Sequence, residues 1–244
     1  MPRLYIPDVS TVTNQISVTG EKAQYLTNVL RCKNGDELIV FDGSGECLKT
    51  RIVKAGRRGV TCEVVEKYLC EADSHLDITL VQGLLKGSKM DLIIQKTTEL
   101  GVKNIIPAIT GRCQVRGTRK LDRWRKVAAE ASRQSGRSII PVIHEPLDLR
   151  SIFTMNSSIE KHGFIFYEEG GMSLSQAMQP NRIHHKSSPV YIFIGPEGGF
   201  TREEISFAKK KGLLVVSFGK RILRAETAAI SAVTLIQFLL GDLG

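Results

Sequence analysis

From residue 76 onward the chain alternates short apolar runs with stretches of helical spacing, and that alternation limits the fold more than any other feature. "LDITLVQGLL" reads as a strand, "SKMDLIIQKTTELG" as a helix closed by Gly101, and "VKNIIPAI" as a strand again. "RKLDRWRKVAAEASRQSG" is a further helix, and "SIIPVI", "FIFYEE", "VYIFI" and "LLVVSF" are further strands. Strands separated by helices imply a mostly parallel sheet covered on both faces. Ligands of such a sheet sit at the carboxyl ends of its strands.

The first seventy residues have another rhythm. "DELIVFDGSGECLKTRIVKAGRRGVTCEVVEKYL" holds short apolar runs cut by the turn signals "DGSG" and "AGRRG". "GEKAQYLTNVL" before it reads as one short amphipathic helix. A small β-barrel fits this pattern, with "EADSH" (71–75) as connector. The expected division is therefore 1–72 and 73–244.

Several classes are disfavoured. The longest apolar stretch, near the C-terminus, is broken by Ser231, Thr234 and Gln237, so no bilayer span is expected. "MPRLYIPDVS" has no apolar signal core, which points to the cytoplasm. The five cysteines form no CxxC pair, and reduced thiols are expected. No histidine spacing suits a metal, and the His184–His185 pair falls in the polar loop "QPNRIHHKSSP".

Charge is informative through its placement. Residues 1–72 carry 10 Lys/Arg against 9 Asp/Glu, whereas 111–137 alone hold nine basic residues and two acidic ones. Such a patch attracts phosphate backbones. Leu121, Trp124, Ala128 and Ala131 recur at core-facing spacing, while Arg116, Lys120, Arg123 and Lys126 lie on another stripe. A charged stripe can be a solvated face, but the surplus favours RNA phosphate contact.

Two stretches carry chemistry. "VYIFIGPEGGF" runs a buried strand into a turn that is nearly all backbone, and Thr201 with Glu204 then forms a capping box that opens a helix. The turn alone can be a simple connection. It is neither a P-loop nor a GxGxxG dinucleotide turn, and no acid ends "LLVVSF" to hold a ribose. The second stretch, "FGKRILRAETAAISAVTLIQFLL", ends a strand in a cationic loop and opens a helix apolar nearly all round. Such a helix must be buried, in a core or between subunits.

"GPEGGF" followed some twenty residues later by "RILRAETA" resembles the SPOUT methyltransferases, specifically the bacterial 16S ribosomal RNA (uracil-N3) methyltransferase family. "YLTNVLRCKNGDELIVFDGSG", "KMDLIIQKTTELGV" and "RWRKVAAEASRQSGR" extend the resemblance over essentially the whole chain. It implies a PUA-like RNA-binding β-barrel over 1–72 and, over 73–244, an α/β domain with a trefoil knot. It also implies a homodimer, S-adenosylmethionine as methyl donor, and 16S ribosomal RNA or the small subunit as partner.

The residues that the resemblance implies for the donor are Tyr167, Glu168, Ile194, Gly195, Pro196, Glu197, Gly198, Gly199, Phe218, Gly219, Ile222, Leu223, Thr227 and Ala228. Ile194, Ile222 and Leu223 would supply apolar walls. Arg224 is the candidate for steadying charge on a uracil carbonyl, and Glu226 either accepts the imide proton or orients Arg224. An Arg224–Glu226 ion pair that merely caps the helix is the competing reading. For RNA the candidates are Arg112, Arg116, Arg119, Lys120, Arg123, Lys126, Gln134 and Arg137, the last two matching family positions near the active site. A non-catalytic RNA-binding or ribosome-assembly factor of the same fold is the alternative function.

Overall fold

The structure, a computed structural model, describes residues 1–9, 14–56, 59–155, 159, 163–179 and 189–244. The "QPNRIHHKSSP" loop with its two histidines lies largely outside the described residues. The chain divides into two compact units: 1–73 together with 132–140, and 74–131 together with 141–244.

Among its described residues the first unit holds a curled sheet of five strands: β1 (Arg3–Tyr5), β2 (Gln15–Val18), β3 (Glu37–Phe41), β4 (Glu46–Gly56) and β5 (Gly59–Leu69), in the order β1-β3-β4-β5-β2. The β1–β3 pair is parallel and the others are antiparallel. Alternation explains the burial. Leu38 and Val40 of β3 point into a core with Leu48, Ile52, Val60 and Cys62, while Lys49 and Arg51 turn outward and pair with Glu37. Helix α1 (Gly20–Gln24) covers this core with Ala23, and a π-helical turn (Tyr25–Val29) continues it with Leu26. One continuous helix is expected over "GEKAQYLTNVL"; the wider turn at Tyr25 is the difference.

The second unit is built on a parallel sheet. Its elements are β6 (Ile78–Gly83), α2 (Lys89–Glu99), β7 (Asn104–Ile109), α3 (Leu121–Ser135, whose residues from 132 on belong to the first unit), β8 (Val142–Ile143), β9 (Leu147–Asp148), α4 (Leu149–Met155), β10 (Gly163–Phe166), β11 (Met172–Ser173), α5 (Leu174–Ala177), β12 (Val190–Ile194), α6 (Arg202–Lys210), β13 (Leu214–Ser217) and α7 (Ala225–Leu240). The order is β11-β13-β10-β12-β6-β7-β8, with β9 beside β7, and every pairing is parallel. β6, β10 and β12 are buried at every residue, which is why β10 and β12 read as unbroken apolar runs and β6 departs from one only at Thr79 and Gln82. The last strand, β13, enters between two earlier ones, β10 and β11.

Helix α2 packs Met90, Ile93 and Ile94 inward, each buried aliphatic contributing about 1.5–3 kcal/mol. Gly101, at φ 91°, ends it; a Cβ there would collide with the Gln237 amide, which donates to Leu100 O at 2.9 Å. Helix α7 buries Ala229, Ala232, Val233 and Ile236 but leaves Leu235, Phe238 and Leu239 exposed.

Two expectations need correction. The strand expected over "SIIPVI" shrinks to Val142–Ile143, because the amides of Ser138 and Ile139 donate to the Asp73 carboxylate instead of a ladder. Helix α4 escapes a reading by periodicity because it is only seven residues long.

Candidate active site

Register places the site. Phe166 of β10 aligns with Ile194 of β12 and with Val216 of β13, so three parallel strands end at one rim. The segments leaving them, from Tyr167, Gly195 and Ser217, surround a cavity of about 380 Å³. This is the carboxyl-end position expected of a parallel sheet.

The glycine turn is shaped by close approach. Gly199, at φ 68°, donates its amide to Pro196 O at 2.9 Å, and a Cβ on Gly195 would stand 3.1 Å from the Gly199 backbone. A Cβ on Gly83 would meet Pro196 N at 2.5 Å, so β6 and the turn touch backbone to backbone. Gln82, fully buried, donates from Nε2 to Gly195 O at 3.2 Å and fastens the turn to β6. Beyond it Thr201 and Glu204 form the expected capping box, Glu204 also accepting the Gly111 amide at 2.7 Å.

Glu197 is held in place by an ion pair with Lys89 at 2.8 Å and by the Lys86 amide at 3.2 Å. Burial pushes its carboxyl up, but the Lys89 hydrogen bond, the Glu197 and Lys86 backbone amides and the Lys89 charge together outweigh it and keep it below the usual glutamate value. Phe166 and Phe218 stack at 4.6 Å on one wall, and Ile194 and Leu223 add apolar surface.

Of the residues expected at the donor site, Tyr167, Glu168, Ile194, Gly195, Pro196, Glu197, Gly198, Gly199, Phe218, Ile222, Leu223 and Ala228 line this cavity, as do Arg224 and Glu226. Gly219 and Thr227 are exposed neighbours outside its lining. Ile222 reaches the cavity but is 83% exposed, a rim residue rather than a wall. Arg224 stands at the N-cap of α7 without a capping hydrogen bond, and neither it nor Glu226 has an ion-pair partner among the described residues. The ion-pair reading thus finds no pair among the described residues, and Arg224 is one of the residues lining the cavity.

Sequence reasoning did not single out Lys89, Phe166, Phe200, Ser217 and Ala225, which also line the cavity together with Arg221 of the cationic loop. Phe200 and Ala225 belong to the motif stretches already quoted. Lys89 opens the quoted "KMDLIIQKTTELGV", but nothing local ties it to a turn more than a hundred residues further on.

The basic residues divide. Arg116, Arg119 and Lys126 are exposed and unengaged among the described residues. Arg112 donates to Gly198 O at 2.9 Å, Lys120 to Gly87 O at 2.8 Å, and Arg123 pairs with Asp91, which also accepts the Trp124 indole at 3.1 Å. Trp124, Ala128 and Ala131 are buried as their spacing requires, and Leu121 is half-buried. Gln134 is exposed. Arg137 is a correction: it is 1% exposed and its Nε meets Asp73 at 3.1 Å, so it anchors the fold of the first unit and offers no surface to RNA.

Comparison with known proteins agrees with this geometry. The RNA methyltransferase domain family matches residues 72–237, and the RNA methyltransferase PUA domain family matches 18–65. The ribosomal RNA small subunit methyltransferase E of Buchnera aphidicola is 31% identical, covering 99% of this chain and 95% of its own. The chain belongs to the ribosomal RNA small subunit methyltransferase E family. The Bacillus subtilis member of this family is also 31% identical, with 91% of this chain and 89% of its own covered. The crystal structure of the Neisseria gonorrhoeae methyltransferase E, bound to S-adenosyl methionine, is 32% identical with a TM-score of 0.89 over 100% of both chains. A Legionella pneumophila protein in complex with the same cofactor has a TM-score of 0.86 at 31% identity, covering 99% of this chain and 98% of its own. The fold is accordingly an RNA methyltransferase domain with a parallel sheet, preceded by an RNA methyltransferase PUA domain.

Proposed function

We propose that the chain transfers a methyl group from S-adenosylmethionine to N3 of a uridine in 16S ribosomal RNA, in the cytoplasm and as a homodimer. One observation carries the reading: the three strand-end segments line one cavity together with Arg224, which has no ion-pair partner among the described residues. A nucleoside suits that cavity. Its lining joins the Gly195–Gly199 turn, which is nearly all main chain and so close-packed that a Cβ on Gly195 would press on the Gly199 backbone, to the apolar side chains of Phe166, Ile194, Phe218 and Leu223.

S-adenosylmethionine supplies an activated methyl on a sulfonium. The chain's own work is then alignment and preparation of the nucleophile. Tyr167, the Gly195–Gly199 turn and Leu223 hold the donor. Uracil's imide nitrogen carries a proton at neutral pH and is a poor nucleophile until it loses it. Arg224 steadies the negative charge that collects on the neighbouring carbonyl oxygen, and Glu226, half-buried one residue past Ala225, accepts the proton or orients the arginine. Arg116, Arg119 and Lys126 meet RNA phosphates, and the unit of residues 1–73 acts as the RNA-reading PUA domain. The exposed apolar face of α7 supports the dimer.

Mass mapping of modified nucleotides in 16S ribosomal RNA, from cells lacking and then regaining this protein, tests the reading. Return of one N3-methyluridine supports it. Return of a different methylated base rejects the proposed acceptor, and no return rejects the enzyme.

A further inference from the structure

The first unit has a cavity of its own, of about 640 Å³, lined by Gln24, Thr27, Asn28, Lys33 and Asn34 among others. Two uncommon backbone features shape it. The helix widens into the π-helical turn, with Leu30 N donating to Tyr25 O at 3.0 Å, and such turns are frequent at functional sites. Arg31 then takes φ 55°, a left-handed conformation that few residues with a Cβ adopt. Together they fold the chain back, so that Cys32 N donates to Leu26 O at 2.9 Å and residues 32–34 face the helix.

The polar groups left over are amides. Thr27 donates to Asn28 Oδ1 at 3.3 Å, and Asn34 Oδ1 accepts the Ala55 amide at 2.7 Å, which leaves both NH2 groups without a partner among the described residues. The Gln24 side chain has none either. Carboxamides present donors and acceptors in the pattern of a nucleobase edge, and a concave site of this size admits a base only when it is unstacked. Among the described residues the lining contains one cation, Lys33, and no carboxylate.

We infer that this amide-lined cavity binds one splayed-out base of single-stranded ribosomal RNA, with Lys33 on an adjoining phosphate. The inference rests on the proposed RNA methyltransferase function and adds a base-reading site remote in sequence from the donor cavity.

The test is affinity for protein-free 16S ribosomal RNA across a salt series, with calorimetry of S-adenosylmethionine in parallel. Gln24→Ala/Asn28→Ala alters two exposed side chains and is expected to weaken RNA binding about tenfold or more. The salt slope and the heat of donor binding should stay as in the unaltered protein, because no phosphate contact is removed. Asn28→Asp, which keeps the shape and replaces a donor by a charge, should lose affinity as well. Lys33→Ala should lower the salt slope by about one. Undiminished RNA affinity in both amide variants would overturn the inference while leaving the methyltransferase reading intact. Failure of the unaltered protein to bind this RNA at all would also overturn the inference, while absence of N3-methyluridine from the mass mapping is what would overturn the methyltransferase reading.

Discussion

Glu197 and Lys89, 108 residues apart in the chain, meet at 2.8 Å at the edge of the cavity, and their ion pair ties the glycine turn after β12 to the start of α2. The Lys86 amide adds a second bond to the same carboxylate oxygen. The turn that would grip a donor is therefore fastened from outside its own segment.

Lys89→Met should loosen that turn. Partly exposed pairs contribute roughly 0.2–1 kcal/mol, so donor affinity is expected to fall by about twofold to fivefold, read by calorimetry. The Glu197 carboxyl lies below its ordinary value, so its pair is intact above that value and lost as pH falls through the depressed one. Donor affinity of the unaltered protein should accordingly weaken only in acid, and that of Lys89→Met should not show this drop.

Arg224→Ala should reduce single-turnover methyl transfer by about 100-fold to 1,000-fold, the usual effect of removing one group that steadies developing charge. Donor binding should change little, since the guanidinium stands at the exposed rim. Normal turnover in this variant would remove Arg224 from the chemistry.

Asp73 predicts an acid limit for the first unit. Burial would raise its carboxyl, but bonds from Ser138 Oγ at 2.6 Å, from the Ser138 and Ile139 amides and from Arg137 hold it below the normal aspartate value. A carboxyl depressed on folding stabilises above its unfolded value of about 3.9, and that stability is lost as pH falls through the folded one. Thermal melts should drop steeply below about pH 4. Asp73→Ala, which strands the buried Arg137, should cost about 3–5 kcal/mol at neutral pH and flatten the acid dependence.

RNA affinity should depend on salt through particular cations. Arg116→Ala, Arg119→Ala and Lys126→Ala should each lower the slope of log affinity against log salt by about one. Arg123→Ala should do less, because Asp91 already neutralises that side chain. Conservative loss of charge at Arg137, as Arg137→Met, should lower the melting temperature with the slope unchanged.

The exposed face of α7 predicts self-association. Phe238 is 58% exposed in a helix that otherwise packs apolar residues, and Leu235 and Leu239 flank it. Phe238→Asp should shift the mass measured by light scattering from dimer to monomer. An unaltered protein that is monomeric at micromolar concentration would reject the proposed homodimer.

Much of the architecture could be read from composition along the chain, for identifiable reasons. β10 and β12 are covered on both faces, so their residues are apolar without alternation. Thr201 and Glu204 announce a helix start because the capping box needs only four consecutive residues. The same signal, Ser173 with Gln176, opens α5 and was available to reading. The strand-end motifs were legible because backbone contact demands glycine.

Local sequence thus determined the alternation of elements, the two rhythms, and the glycine and arginine segments that any ligand would have to meet. Only the tertiary structure decided that these segments share one cavity, since that follows from the parallel registers of β10 with β12 and β13 and not from spacing along the chain. It also decided that Lys89 belongs beside Glu197, and that Arg137 is buried whereas Arg116 is not. A side chain's charge is written in the sequence. Whether that charge meets solvent, a carboxylate or a ligand depends on contacts between residues dozens to more than a hundred positions apart.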